Sequence, residues 1–269
     1  MVRVKTAVQS EFKGIFFDYG GVIEDLAVNE DSVRKGISAI QGILERRGVV
    51  IKTGALAKMV KSGHEAYEKW YGNNGYRELP NGEIWSAFLL KEICAGAGGA
   101  DTPASGYDGE STKSLISAIG EELGSVYEYY LFKRRVARDL KAVLMTLFYS
   151  GFVLSVVSNT MSSTLIPERL KKFGIDSFFR AVVLSVDLGV RKPDPGIFYA
   201  ALARTGLRAD RCMYVGDTLS RDIEGSKAAG FRSSVLMTSG ITKMKDRDYR
   251  SGTEPDHRIS TLSELFPLL

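Results

Sequence analysis

The sequence predicts an α/β protein in which a mainly parallel sheet is covered by helices on both faces, with an α-helical segment inserted after the first strand. Short apolar runs of four to seven residues recur, helix-like segments alternate with the later runs, and residues 26–131 contain no convincing strand. Continuous apolar runs are typical of parallel strands buried on both faces. The predicted strands are residues 14–17, 152–158, 181–185, 212–216 and 233–237.

Helices are predicted between the later strands. Residues 163–173, 195–205 and 222–229 each follow a strand-like run and are each followed by a glycine. Pro195 stands where the first helical turn tolerates proline, and glycine frequently ends a helix because it adopts the left-handed conformation. A further helix over 136–150 leads into the second strand. This alternation predicts a three-layer core with helices on both sides of the sheet.

The region after the first strand is predicted to be a separate α-helical domain at 26–131, leaving 1–25 and 132–269 as the α/β core. Apolar residues with helical spacing mark the segments 31–48, 54–72, 82–96 and 114–132. The aromatic residues expected mainly in the core of this domain are Trp70, Tyr71, Tyr76 and Trp85.

The stretch 95–111 is rich in glycine, alanine and serine. A nucleotide-binding glycine loop needs a strand before it and a helix that begins on it. No strand precedes this stretch, so it is predicted to be a flexible loop within the helical domain.

The composition indicates an ordinary globular protein. The chain has 269 residues, of which 44% are hydrophobic and 25% charged, and a net charge of +4, too small an excess to indicate nucleic acid or a membrane surface as a partner. No run reaches the ~18 apolar residues of a transmembrane helix and the start lacks a secretory signal, so a cytoplasmic location is expected.

Two further features of the composition favour ordinary structural roles. Cys94 and Cys212 are far apart and form no CxxC pair, which favours buried, reduced thiols. The basic runs 132–135 and 242–250 are expected to be solvated surface.

Polar residues stand at the ends of four predicted strands. Asp18 ends the first strand, Ser158 ends the second, and the segments 191–195 and 215–222 follow the third and fourth. In open parallel sheets ligands bind beyond the carboxyl ends of the strands. These residues are therefore expected to converge on one crevice.

The residue types at these ends suit the chemistry of phosphate esters. A carboxylate such as Asp18 can attack an electrophile and form a covalent intermediate, but attack on a phosphate costs about 4 kcal/mol per unit of like charge at ~4 Å and an effective dielectric near 20. Asp217 and Asp222 can hold Mg²⁺ through oxygen, and Lys192 adds positive charge. Ser158 and backbone N–H groups after Asp18 can hold phosphoryl oxygens.

This layout resembles the haloacid dehalogenase superfamily, most of whose members are Mg²⁺-dependent phosphatases. Its four motifs match, in order, "FFDYGGVI", "VVSNT", "VRKPDPGIF" and "VGDTLSRDIEGSKAAG". The resemblance covers residues 14–24 and most of 140–269, and the insert matches the family's helical cap in position. It implies a Rossmann-like three-layer core with an α-helical cap domain.

The resemblance implies a role for each matching residue. Asp18 would be the nucleophile and would also contact Mg²⁺. The other metal ligands would be the Gly20 carbonyl, Asp217 and Asp222. The residues that would bind the phosphoryl group are Ser158, Asn159, Gly21 and Lys192, of which Lys192 would also orient Asp18. The expected substrate is a small phosphorylated metabolite, and the expected assembly is a monomer or homodimer.

Gly20 departs from the family pattern. Phosphatases of this family usually carry an Asp there, which protonates the leaving group, and such help is worth roughly 10²–10⁴-fold. Three explanations stay open. A residue of the helical domain could supply the proton, with His64, Glu65 and Tyr67 as candidates; the substrate could have a good leaving group, such as a sugar 1-phosphate or acyl phosphate; or the chemistry could differ.

Other functions are compatible with the resemblance. Haloacid dehalogenases also lack the second Asp, but they need no metal, and "GDTLSRD" argues against them. Phosphonoacetaldehyde hydrolases keep the metal and need a cap lysine for a Schiff base, for which Lys52, Lys58 and Lys61 are candidates. A phosphate-binding protein without turnover is the remaining alternative.

Overall fold

A computed structural model of the protein describes residues 5–96, 109–240, 242–247, 249–250 and 252–269. They divide into two compact units. The first unit is drawn from Met1–Ala27, Arg134–Asn159 and Ile166–Leu269, and the second from Val28–Lys133 and Thr160–Leu165. Most of the glycine-rich stretch at 95–111, residues 97–108, lies outside the described residues.

The strands, in chain order, are β1 (Gly14–Phe17), β2 (Glu24–Ala27), β3 (Lys133–Val136), β4 (Val153–Ser158), β5 (Phe179–Leu184), β6 (Cys212–Gly216), β7 (Ser233–Met237) and β8 (His257–Ile259). Within the described residues, six of them form one sheet in the order β5-β4-β1-β6-β7-β8, and every neighbouring pair is parallel. β2 and β3 pair in a separate two-stranded sheet. The predicted α/β class with a mainly parallel sheet is therefore confirmed.

All five predicted strands form, with ends within two residues of the prediction. The sequence pattern missed β2, β3 and β8. Their sequences, EDLA, KRRV and HRI, are mostly polar or charged, so no apolar run marks them, and β3 overlaps the basic run at 132–135. His257, which looks like a loop residue in the sequence, begins the edge strand β8.

The second unit is helical. Its helices are α1 (Glu30–Glu45), α2 (Thr53–Asn73), α3 (Asn81–Ile84), α4 (Lys91–Cys94), α5 (Gly109–Ala118) and α6 (Gly120–Leu131). The helix predicted at 82–96 is interrupted by a π-helical turn at Trp85–Leu89. Asn29 caps α1 through a reciprocal pair of bonds with Ser32.

The aromatic residues of the second unit take different positions. Trp85 is fully buried, while Trp70 and Tyr71 pack partly buried against the same core. Tyr76 is exposed, contrary to expectation, because it lies in the turn after α2 with a positive φ of 56°.

Residues 160–165 pack with the second unit, whereas the sequence pattern places them in the α/β core. The Glu121 carboxylate, on α6, accepts bonds from the backbone N–H groups of Ser163 and Thr164 and from the hydroxyl of Ser162. These bonds attach the segment that follows β4 to the helical unit.

The helices of the first unit are α7 (Leu140–Tyr149), α8 (Leu165–Lys172, whose first residue belongs to the second unit), α9 (Ser185–Leu188), α10 (Pro195–Thr205), α11 (Glu224–Ala228) and α12 (Thr242–Lys245). A π-helical turn at Leu219–Ile223 leads into α11. Side chains of β1 alternate between two apolar cores, with Ile15 and Phe17 in one and Phe16 in the other. The sheet is thus buried on both faces, as its continuous apolar strands require.

Both cysteines are buried and unpaired. Burial raises the pKa of the Cys94 thiol to about 11 and that of Cys212 to about 12, which favours the inert thiol form. Across the part of the chain that the structure describes, no helix combines the length and apolar character needed to cross a bilayer.

Candidate active site

Three neighbouring strands end in polar residues at the same edge of the sheet. β1 lies between β4 and β6, with Phe17 opposite Val156 on one side and Val215 on the other. The residue after β1 is Asp18, whose backbone N–H donates to the Val215 carbonyl at 2.8 Å. Because parallel strands end at one edge, this register brings Asp18 beside the ends of β4 and β6.

Three of the predicted residues form a buried acidic group. One carboxylate oxygen from each of Asp18, Asp217 and Asp222 lies within 4.8 Å of the other two. Lys192 joins them, with its Nζ 2.8 Å from Asp18 Oδ1 and 2.7 Å from Asp222 Oδ1. Lys245 pairs with Asp217. We call these three aspartates and two lysines the aspartate cluster.

The two oxygens of Asp18 have different surroundings. Oδ1 accepts from Lys192 and, at 2.7 Å, from the backbone N–H of Tyr19. Across the described residues no hydrogen bond to Oδ2 is found, and the side chain is 7% exposed. Oδ1 is thus held in place, while Oδ2 is available to react with a ligand.

Lys192 is held as a charged group. Its Nζ also contacts the Val157 carbonyl at 3.1 Å and the Tyr214 hydroxyl at 3.2 Å. Burial lowers the pKa of Lys192, but the charges of Asp18 and Asp222 outweigh burial and raise it above its usual value. Lys192 therefore stays an ammonium ion.

The side chain of Asn159 positions Lys192. Its amide oxygen accepts from the Lys192 backbone N–H at 2.8 Å, and its amide nitrogen donates to the Lys192 carbonyl at 3.0 Å. Ser158, just before it, is buried at the end of β4. Asn159 was predicted to act through its backbone on phosphate, and its side chain has this additional structural role.

Asp222 already has its hydrogen-bonding capacity filled. Oδ1 accepts from Lys192 and from the Tyr214 hydroxyl, and Oδ2 accepts from the backbone N–H groups of Asp217 and Thr218 and from the Thr218 hydroxyl. Burial would raise the pKa of Asp222, but Lys192 and these bonds hold it below its usual value. Asp222 therefore shapes the loop that carries Asp217.

Asp217 carries the least compensated charge. Its side chain is fully buried, and its partners are the Ser239 hydroxyl at 2.7 Å from Oδ2 and Lys245 Nζ at 3.0 and 3.1 Å from the two oxygens. Burial raises its pKa; Lys245 opposes this, while Asp18 and Asp222 add to it, and the resulting pKa is about 6.

Gly21 must be glycine for two reasons. Its φ is +97°, a region that favours glycine, and a Cβ at this position would overlap the carboxylate of Asp217. Its N–H donates to the Glu24 carbonyl at 2.7 Å, so the predicted contact of Gly21 with phosphate cannot use this N–H group. The close approach to Asp217 is a role that the structure shows for Gly21, and its contact with phosphate stays a prediction.

A side chain at Gly20, where the family usually carries a carboxylate, would meet the side chain of Leu26. A Cβ at Gly20 would lie 2.9 Å from Leu26 Cδ1, and Leu26 is a buried residue of β2. An aliphatic side chain thus fills the position next to Gly20. The Gly20 carbonyl lies 3.4 Å from Lys245 Nζ.

A second buried acid lies six residues after Asp18. Glu24 accepts from Arg134 Nη1 at 2.8 Å, from Arg169 Nε at 2.9 Å to both oxygens and also Nη2, and from the Tyr19 hydroxyl at 2.9 Å. Glu24 is fully buried. We call these four residues the Glu24 cluster; it fastens the loop between β1 and β2 to β3 and α8.

The candidate proton donors of the second unit differ in exposure. Tyr67 is buried, and its hydroxyl donates to Glu78. His64 is half-buried, with Nε2 3.8 Å from Glu68, and Glu65 is exposed. The candidate Schiff-base lysines Lys52, Lys58 and Lys61 are all exposed.

Sequence reasoning missed members of both clusters and two hydrogen-bond partners of the aspartate cluster. Tyr214 looks like an ordinary strand residue, and Ser239 follows β7 without a motif. Arg134 and Lys245 belong to the two basic runs that were expected to be solvated surface, and that expectation is wrong for these two residues. The only available signal was one of position, since residues 239–246 follow the strand next to β6.

A family model described as "Haloacid dehalogenase-like hydrolase" matches residues 114–236, a range that includes Ser158, Lys192, Asp217 and Asp222. A glyceraldehyde 3-phosphate phosphatase of Methanopyrus kandleri is 36% identical over 132 residues, 49% of this chain and 55% of that protein. One of Methanothermobacter thermautotrophicus is 32% identical over 170 residues, 60% of this chain and 71% of that protein.

The chain spans about half the length of most of the curated relatives that it matches. Among solved structures, a 2-haloacid dehalogenase from Pseudomonas syringae pv. tomato has a TM-score of 0.61 at 20% identity, covering 94% of this chain and 96% of that one. At this identity the likeness concerns the fold. The match to the Methanothermobacter relative covers more than two thirds of that protein and shows common family membership. The chain belongs to the haloacid dehalogenase-like hydrolases.

Proposed function

We propose that this chain is a Mg²⁺-dependent phosphatase that acts on a small phosphorylated metabolite through an aspartyl-phosphate at Asp18. The carrying observation is the geometry of Asp18: Lys192 and the Tyr19 N–H hold its Oδ1, and its carboxylate lies in one group with those of Asp217 and Asp222. The phosphatase names of the relatives point to the same reaction class.

The donor set suits Mg²⁺. Asp18, Asp217 and the Gly20 carbonyl offer the hard oxygen ligands that Mg²⁺ prefers. The three carboxylates of the aspartate cluster face two ammonium groups, so one negative charge stays uncompensated. Asp222 supports this set by holding the loop at Asp217, because its own oxygens are occupied. When bound, Mg²⁺ supplies the positive charge that offsets repulsion between Asp18 and a phosphate dianion.

In the first step, Asp18 Oδ2 attacks phosphorus and the bond to the leaving-group oxygen breaks, with its electron pair leaving on that oxygen. Lys192 holds Asp18 Oδ1 and neutralises charge, while Ser158 and the backbone after β4 bind phosphoryl oxygens. Water then adds to phosphorus and the bond between phosphorus and Asp18 Oδ2 breaks, with its electron pair returning to Asp18; inorganic phosphate leaves and carries the protons of the water. The carboxylate of Asp18 is thereby restored.

The leaving group is expected to depart without protonation from position 20. Gly20 has no side chain, and Leu26 packs where one would begin, so no acid at this position can protonate the leaving group. This supports substrates with good leaving groups, such as acyl phosphates or sugar 1-phosphates, and disfavours simple alkyl phosphates.

The test of the reaction is phosphate release from acetyl phosphate. The intact protein should turn over with Mg²⁺ and lose activity in EDTA, and Asp18→Asn should reduce release to background. Asp176→Asn serves as a control, because it removes an exposed acid of the same unit. Full Mg²⁺-dependent activity in Asp18→Asn would contradict the mechanism. Inactivity of the intact protein on a wide panel of phosphorylated metabolites would favour a non-catalytic phosphate-binding role.

The test of the leaving group is a series of aryl phosphates of graded acidity. Without a general acid, kcat/KM should fall steeply as the leaving group becomes more basic. The double variant Gly20→Asp with Leu26→Ala makes room for the missing carboxylate, and it should flatten this dependence. A shallow dependence in the intact protein would show that another residue supplies the proton.

The contact between Lys245 and Asp217 favours one second candidate, metal-free carbon–halogen cleavage, because it compensates Asp217 without a metal. Halide release from a 2-haloacid in EDTA would establish it. The phosphonoacetaldehyde hydrolase alternative gains no support from Lys52, Lys58 and Lys61, because a Schiff-base lysine needs a desolvated amine and all three are exposed.

A further inference from the structure

Lys245 lies on the atoms that would hold the metal. Its Nζ is 3.0 and 3.1 Å from the two oxygens of Asp217 and 3.4 Å from the Gly20 carbonyl oxygen. Both groups belong to the donor set assigned to Mg²⁺ above. The lysine side chain is only 17% exposed, so this contact is not a loose surface pair.

The segment around Lys245 is fastened beside the site at both ends. The carboxylate of Asp246 accepts from the backbone N–H groups of Leu219 and Ser220 at 2.7 and 3.1 Å and from the Ser220 hydroxyl at 2.6 Å. On the other side, the Ser239 hydroxyl donates to Asp217 Oδ2 at 2.7 Å. These bonds keep the backbone of Lys245 next to the site.

The reason for a cation at this point is the burial of Asp217. A fully buried carboxylate needs a nearby positive charge, and Lys192 is already engaged by Asp18 and Asp222. A divalent ion on the same oxygens would stand within a few ångströms of the Lys245 ammonium, where like charges repel strongly. The two cations therefore compete for Asp217 and Gly20.

We propose that Lys245 occupies the metal position in the metal-free protein and must withdraw before Mg²⁺ binds, so that it sets the affinity of the site for metal. The proposal rests on the Mg²⁺ site of the proposed function. The Lys245 ammonium competes with Mg²⁺ for the same oxygens and so weakens the apparent affinity of the site for Mg²⁺.

The experiment is a calorimetric titration of Mg²⁺ into EDTA-treated, dialysed protein. Lys245→Met removes the competing charge and should tighten binding by about tenfold or more, because the binding-competent form is no longer a minor fraction. Lys245→Arg keeps the charge and should stay weak. Lys172→Met is the matched control, because it removes the same charge from an exposed position on α8 of the same unit, and it should leave the affinity unchanged.

Asp246→Asn tests the anchor without altering a metal donor. Weaker fastening of the segment should raise Mg²⁺ affinity, but by less than Lys245→Met does. Thermal unfolding guards against misfolding, since a folded Lys245→Met protein should gain more in Tm on addition of Mg²⁺ than the unaltered protein gains.

Equal affinities in the unaltered protein and Lys245→Met would overturn the proposal and leave the Mg²⁺ site of the proposed function intact. Weaker binding in Lys245→Met would overturn it too, because Lys245 would then assist the metal. If neither protein binds Mg²⁺, the proposal fails with the metal site, and phosphate release with and without EDTA judges the phosphatase function independently.

Discussion

The first unit contains two buried carboxylate clusters whose charge balance is opposite. In the Glu24 cluster one carboxylate accepts from two arginines and a tyrosine hydroxyl, so positive charge is in excess. In the aspartate cluster three carboxylates share two lysines, so negative charge is in excess. Asp18 and Glu24 are only six residues apart along the chain.

The Glu24 cluster is a structural ion pair, whereas the aspartate cluster has the features of a binding site. Glu24 is surrounded by hydrogen-bond donors, as a buried charge requires. Both of its carboxylate oxygens already accept hydrogen bonds from the protein. The aspartate cluster keeps Asp18 Oδ2 without a hydrogen-bond partner among the described residues, and Asp217 with a pKa raised to about 6. An acidic group that its surroundings leave undercompensated is suited to a cation and a reaction.

The largest effect on stability is expected when the Glu24 cluster is broken. Glu24→Gln removes the buried carboxylate that Arg134 and Arg169 share, and breaking a buried ion pair should cost about 3–5 kcal/mol of unfolding free energy. Urea unfolding measures this loss. The control is Glu254→Gln, whose partner Arg258 is at the surface, and it should change stability very little. Equal effects of the two variants would mean that Glu24 is not a structural ion pair.

The next effect is a dependence of stability on pH that arises from Asp217. The pKa of Asp217 is about 6 in the folded protein against 3.8 for the free side chain, so the folded state binds this proton more readily. Its stabilising contribution is complete below pH about 4 and is lost as pH rises through about 6, a change of about 3 kcal/mol from the pKa difference.

The measurement for Asp217 is the unfolding free energy of the metal-free protein as a function of pH, with Asp217→Asn as reference. The stability of the unaltered protein relative to Asp217→Asn should fall across this window. No change would mean that Lys245 fully compensates Asp217, and a rise would mean that Lys245 holds the pKa of Asp217 below its free value; either result would remove the contrast between the two clusters.

The smallest expected effect is the difference in stability between two glycine variants, which tests the close approach of Gly21 to Asp217. Gly206→Ala meets only backbone strain, since φ there is +71° and no atom lies within 4 Å of the new Cβ, and it should cost about 1–2 kcal/mol. Gly21→Ala adds the overlap with Asp217 and should cost about 1–3 kcal/mol more. Mg²⁺ affinity should fall in Gly21→Ala alone. Matching losses in both variants would show that Asp217 moves aside freely.

The strand ends of the site could be predicted because their signals are local. An apolar run that stops at Asp18 or Asp217 marks a buried parallel strand, and the order of such strands along the chain already indicates which ends meet. The strands β2, β3 and β8 escaped prediction because charged and polar residues interrupt any apolar run in them, whereas the equally short β1 is wholly apolar.

The sequence by itself determined the α/β class, the strand ends and the acids that stand on them, since each follows from runs of neighbouring residues. Only the tertiary structure decided which cations face those acids. Arg134 reaches Glu24 across 110 positions, and Lys245 reaches the Gly20 carbonyl across 225. A basic run looks like solvated surface in any local window, and only the folded chain shows which of its charges is needed to compensate a buried carboxylate.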